Sequence, residues 1–305
     1  MRIKDISVEN YRNLNSATIT FDESCNFIVG ENNLGKSNIL NLLNIIFTRR
    51  GFVYDDFNDA NLPITVNIRI KLTNDEIGHF EDLFDIDDYT YINIICKQVS
   101  PDDNMEFYHL ETETYISPTL IKCLNFIYYD SLRNPISEIN FDSSKGVGRF
   151  LSRMIKDYVS NTDINTNNLV DIEFTNDLLT NVNTKLEKIK SFKDHAIKAV
   201  LEGDVSLLFP KLISLQDARG GALSKCGYGI QFLLLVTLSI LNKLQTISDQ
   251  RGETGVFVNE DTGERSISVV LGLDEPEIHL HPYMQRSLIK YLNKVINNED
   301  SDLKL

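Results

Sequence analysis

The chain has no paired cysteines, no apolar run of membrane length and no basic stripe. Its four cysteines, Cys25, Cys96, Cys123 and Cys226, are scattered without a C-x-x-C pair, which argues against a zinc site and suits reduced thiols in a cytosol. The longest uninterrupted apolar run, FLLLV, extends with small polar breaks only to Leu241, far short of the ~20 residues that span a bilayer. The opening MRIKDISVENYRNL alternates charged and apolar residues with no h-region or cleavage site, so no secretory signal is read and a cytoplasmic location is expected. The formal charge is -14. Lys and Arg contacts to phosphate dominate duplex binding, so any nucleic-acid binding by a chain this acidic would need a local basic patch, or another domain or chain. Arg49 and Arg50 form a pair and read as a solvated helix end.

What is present is globular composition: 305 residues, 42% hydrophobic and 24% charged, enough to bury a real core. Alternating stretches at 2–9, 16–22, 64–72 and 90–99 predict strands, with shorter buried strands at 26–30 (NFIVG) and 125–130 (NFIYYD). Between 147 and 201 the texture changes to apolar residues at three and four spacing in RFLSRMIKDYV and DLLTNVNTKLEKIKSF, which predicts helices. NEDTG between VFV and SISVV predicts a hairpin. The fold class expected is α/β: an N-terminal lobe over 1–146, a helical insertion over 147–204 and a C-terminal lobe over 205–305.

GENNLGKS, between NFIVG and NILNLLNIIF, fits G-x-x-x-x-G-K-[ST], the phosphate-binding loop, in the strand-loop-helix context that motif requires. Gly30 and Gly35 permit tight backbone conformations that let successive N–H groups cradle a phosphate at a helix N-terminus. Lys36 is expected to neutralise β- and γ-phosphate oxygens, and Ser37 to place its hydroxyl on Mg²⁺. Gly30, Asn32, Asn33, Gly35, Lys36, Ser37 and Asn38 form the candidate nucleotide-binding stretch.

Such a loop needs a second carboxylate site. SVVLGLDEPEIHLHP supplies an apolar strand ending in Asp274 and Glu275, with Asp274 expected to hold Mg²⁺ and Glu275 to polarise the attacking water as general base. His279 and His281 have no Cys or third histidine near them and read as structural turn residues. The chain from Gly30 to Asp274 is too long for a small GTPase-like unit. In LSKCGYGIQFLLLV, Gly227 and Gly229 open a long apolar helix, either as a second phosphate-facing N-terminus or as an ordinary glycine-rich helix start.

Together IKDISVENYRNLNSATITF, GENNLGKSN, LSKCGYGIQ and LGLDEPEIHLHP resemble the ATPase domain of the OLD family of nucleases, which includes the nuclease of Gabija defence systems. More distantly they are similar to RecF and SMC-type heads, all of the ABC class. The resemblance covers about 1–50 and 205–298. It implies that Ser224, Gly227, Gly229 and Gln231 form a degenerate signature segment contacting the γ-phosphate bound to a second subunit, so that a homodimer or higher oligomer sandwiches ATP. It places Arg12 beside the nucleotide, and it implies a glutamine-loop metal contact at Gln98 and an arginine-bearing segment at Arg133. In that family a further strand with a γ-phosphate-sensing histidine, and then a Toprim nuclease domain, follow the DEPE helix; this sequence stops at SDLKL, where that strand would begin. A truncated head is therefore expected, an ATPase with no nuclease activity of its own. The acidic stretches DDFND, DIDD and NEDTGE read as solvated loops.

Overall fold

The computed structural model describes residues 1–23, 25–31, 34–80, 83–121, 123–130, 138–139, 146–160, 180, 215, 222, 225–250, 257–258, 263, 265–275 and 280–296. The chain divides into two compact units, Met1–Arg133 with Tyr228–Leu305, and Asn134–Gly227. The interruption of the first unit is wider than the 147–204 insertion expected from the change in sequence texture.

The larger unit is built on an antiparallel sheet of order β2-β1-β3-β4-β5. Its strands are β1 Arg2–Glu9, β2 Ala17–Thr20, β3 Ile64–Lys71, β4 Tyr91–Gln98 and β5 Glu106–His109. In β3 every second residue, Ile64, Val66, Ile68 and Ile70, is buried, and Ile92, Ile94 and Cys96 of β4 meet them in register. Each such side chain contributes about 2 kcal/mol when fully buried. A one-residue slip would turn the whole set outward, which is why the register is well specified. Helix α1, Lys36–Thr48, completes this core with Ile39, Leu42, Leu43, Ile45, Ile46 and Phe47. Short helices α2 Asn74–Ile77 and α3 Pro118–Ile121 lie in the connections. Strand β5 and both short helices were not foreseen: four residues are too few for a period to declare itself.

A second, parallel pair joins β6 Asn125–Tyr129 to β9 Val269–Leu273, with Tyr128 opposite Gly272 and Tyr129 opposite Leu273. Gly272 is needed here, because a Cβ would stand 2.7 Å from Phe126 Cζ and 3.2 Å from Leu40 Cδ2 of α1. Helix α5, Tyr228–Gln250, buries Phe232, Leu235, Val236 and Ile240. It is tied to β6 by the Tyr129 hydroxyl donating to the Leu235 carbonyl at 2.9 Å. Strands β7 Phe257–Val258 and β8 Arg265–Ser266 pair as the expected hairpin, and α6 spans Pro282–Ile296.

One expected strand is absent. Residues 26–30 carry no ladder, and Phe27 and Val29 are 70% and 88% exposed. A short apolar run becomes a strand only beside a free ladder edge, and among the described residues no strand pairs with this one. In the second unit α4, Gly146–Ser160, matches the predicted first helix and buries Val147, Phe150 and Leu151. Of the second predicted helix, over 177–192, only Thr180 is among the described residues, and it is helical.

Candidate phosphate-binding site

Gly35 caps α1 in the left-handed conformation, φ 95°, and a Cβ there would meet the Asn13 carboxamide at 2.8 Å, so a side chain at this position would be strained and would displace Asn13. The helix that follows has no side-chain cap and no acidic residue in its first turn. Its first N–H groups therefore remain available to an anion. Lys36 arches back over the loop, donating to the carbonyls of Gly30 at 2.8 Å and Glu31 at 2.9 Å. A cation held by loop carbonyls can exchange them for phosphate oxygens without leaving the loop.

The parallel register of β6 and β9 delivers Asp274 to the same place. The Asp274 N–H donates to the Tyr129 carbonyl at 2.9 Å, continuing the ladder one residue past β9. The Ser37 hydroxyl donates to Asp274 Oδ1 at 3.1 Å, across 237 positions of sequence. The Tyr128 hydroxyl lies 3.4 Å from Asp274 Oδ2. Burial first, and then the neighbouring Asp274 charge, raise the Tyr128 phenol above its ordinary pKa, so it remains a donor. Glu275 follows at φ 46°, a left-handed conformation that is uncommon for a glutamate. A hydroxyl and a carboxylate within 3.1 Å of each other are hard oxygen donors of the kind Mg²⁺ takes, usually with few protein ligands.

Arg12, itself at φ 45°, approaches from the turn after β1. Its Nε and Nη2 contact Asp56 Oδ1 at 2.9 and 2.7 Å, and Nη1 donates to Asn38 Oδ1 at 2.7 Å. Asn38 Nδ2 in turn donates to Asn13 Oδ1 at 2.7 Å. Lys36 and Arg12 thus place two cations at a helix N-terminus whose dipole is already positive, an arrangement suited to an anion.

The structure accordingly brings together Gly30, Gly35, Lys36, Ser37, Asn38, Arg12, Asp274 and Glu275. Gln98 is engaged elsewhere. It is buried, receives the Phe52 N–H at 2.7 Å and donates to the carbonyls of Phe52 and Ser100 at 2.9 and 3.0 Å, so its carboxamide braces the 51–53 turn. Gly229 serves packing, since a Cβ would lie 3.0 Å from Leu280 Cδ2 ahead of α6, and Gln231 is buried on α5. Gly227 is exposed with open space around its Cβ position. Asn32, Asn33, Arg133, Ser224 and His279 lie outside the described residues.

Three residues were missed by the sequence. Tyr128 gave no signal short of the β6–β9 register. Asn13 adjoins Arg12 but becomes meaningful only with Gly35. Asp56 sits in DDFND, read as solvated, yet it is 1% exposed because Arg12 satisfies its charge; Asp85 of DIDD is likewise held by Arg69 at 3.0 Å.

Among the described residues, no helix is long and apolar enough to cross a membrane. The chain is 25% identical over 270 residues to the DNA replication and repair proteins RecF of Thermoanaerobacter sp. (strain X514) and Thermoanaerobacter pseudethanolicus (strain ATCC 33223 / 39E). That alignment covers 85% of this chain and 62% of each relative, so the chain spans less than two thirds of their length. Among solved structures it is similar to the recombination mediator protein RecF-ATP, at 16% identity, 100% of this chain, 69% of that one and TM-score 0.35. It is also similar to a structure from work on ATP-driven dimerisation of SMC ATPases, at 18% identity, 40% and 76% coverage and TM-score 0.31. The match to AAA_15, the AAA ATPase domain, extends over residues 1–202 and 127–302, and the chain belongs to that family.

Proposed function

We propose that this chain is the ATP-binding and hydrolysing head of an OLD-like defence nuclease, controlling a DNA-cleaving domain or partner in immunity against phage. The observation that carries the ATPase part is the 3.1 Å contact between Ser37 and Asp274, which joins the loop to the acidic strand end. Gly30, Gly35 and the first turn of α1 cradle the phosphates, and Lys36 leaves the Gly30 and Glu31 carbonyls to bind them. Ser37 and Asp274 would hold Mg²⁺, which when bound neutralises charge on the transferring phosphoryl group. Glu275 takes the proton of the attacking water. In this reading ATP is sandwiched in a homodimer against the 224–231 segment of a second subunit, and nucleotide occupancy sets the geometry of attached parts. The 147–204 region supplies the dimer contact. DNA is met indirectly, and DNA cleavage belongs to a Toprim domain or partner chain.

Steady ATP turnover by the purified chain, abolished by Glu275→Gln with binding retained, is the expected result. Binding without turnover would instead support a non-hydrolytic sensor or scaffold. A RecF-like repair ATPase is favoured by the 25% identity to RecF proteins. Direct, salt-sensitive duplex binding by this chain would select that reading.

A further inference from the structure

We propose that Asp56 is a positioning residue for phosphate recognition, acting through Arg12; this rests on the nucleotide-binding reading above. Residue 56 grips residue 12 twice. The Arg12 N–H donates to the Asp56 carbonyl at 2.9 Å, and the guanidinium contacts Asp56 Oδ1 through Nε and Nη2 at 2.9 and 2.7 Å. The backbone bond braces Arg12 in its left-handed conformation. The carboxylate is itself fixed, because its Oδ2 accepts the Val53 N–H at 2.9 Å.

Burial gives the pair a direction. The Asp56 side chain is 2% exposed and that of Arg12 30%, so the anchored end lies inside and the other end faces out beside α1. Of the guanidinium's five N–H groups, the Nε–H and one on Nη2 turn to Asp56 and one on Nη1 to Asn38, in the second position after Lys36. One N–H on each Nη remains at the outer end among the described contacts. A free arginine at a helix N-terminus is repelled by the helix dipole and would swing into solvent. The buried carboxylate offsets that repulsion and holds the guanidinium in place, so an anion arriving at α1 finds its donors already oriented. Charge-assisted bonds of fixed geometry of this kind are the strong ones.

The test is calorimetric titration of Mg·ATP into the full chain, comparing the natural protein with Asp56→Asn, Arg12→Lys, the double variant and Lys36→Ala. Asp56→Asn is expected to weaken ATP binding about tenfold, raising KM while leaving kcat nearly unchanged, as loss of ground-state positioning should. In the Arg12→Lys background the same change should cost less than about twofold, because the residue through which Asp56 acts has lost its fork. Unchanged affinity in Asp56→Asn, or fully additive losses in the double variant, would overturn the proposal. If Asp56→Asn does not fold, Arg12→Lys alone decides, since it keeps the charge and loses the link to Asn38; undiminished affinity there overturns it. Retained ATP binding in Lys36→Ala would count against the nucleotide reading itself, whereas loss in Lys36→Ala with none in Asp56→Asn rejects only the role of Asp56.

Discussion

The Ser37 hydroxyl donates to Asp274 Oδ1 at 3.1 Å, joining the first turn of α1 to the end of β9. Asp274→Asn keeps the shape and removes the charge. It should abolish the Mg²⁺ dependence of ATP binding while leaving the thermal midpoint within a few degrees, measured by titrating Mg²⁺ at fixed ATP and by calorimetric unfolding.

Glu275 occupies the left-handed region at φ 46°. That conformation costs a glutamate on the order of 1 kcal/mol, and asparagine tolerates it better. Glu275→Asn should therefore raise stability by about 0.5 kcal/mol in denaturant titration while eliminating turnover. Unchanged turnover would remove Glu275 from the chemistry.

Much of this was legible from the sequence. The β1, β3 and β4 patterns alternate cleanly, β9 ends in acids, and GENNLGKS runs into the first turn of α1, so the sequence pairs the loop with Asp274. The run at 26–30 was misread because apolar content does not say whether a neighbouring ladder edge exists. Gln98 was read by family analogy, but it sits in a strand end whose local turn uses up its carboxamide. Asp56 and Tyr128 were invisible for one reason: each acts on a residue distant in sequence, Arg12 and Asp274, and no periodicity records such a pair.

Gly272 explains how β9 lies so close to α1. Gly272→Ala places a methyl 2.7 Å from Phe126 Cζ, and overpacking of this kind should cost about 1–3 kcal/mol. Phe126→Leu in the same chain should recover part of that loss, and a double-mutant cycle in urea measures the coupling.

Tyr11 is fully buried, and its hydroxyl has no hydrogen-bond partner among the described residues. Burial, the largest cause, pushes its pKa up to about 12. The folded state therefore holds this proton more tightly than the unfolded state. Its contribution to stability is complete below the ordinary tyrosine pKa of about 10 and falls away as pH rises towards 12. Tyr11→Phe should flatten that alkaline decline in unfolding curves taken between those values, and should leave stability at pH 7 unchanged or improved, since no bond is lost.

The central claim is that the loop at 30–37 binds ATP through Lys36 and that Glu275 acts on the reaction rather than on binding. Calorimetric titration of Mg·ATP into Lys36→Ala and Glu275→Gln tests both halves at once. The account predicts at least about a hundredfold loss of affinity in Lys36→Ala, with Glu275→Gln within about twofold of the natural chain. Undiminished ATP affinity in Lys36→Ala would contradict it.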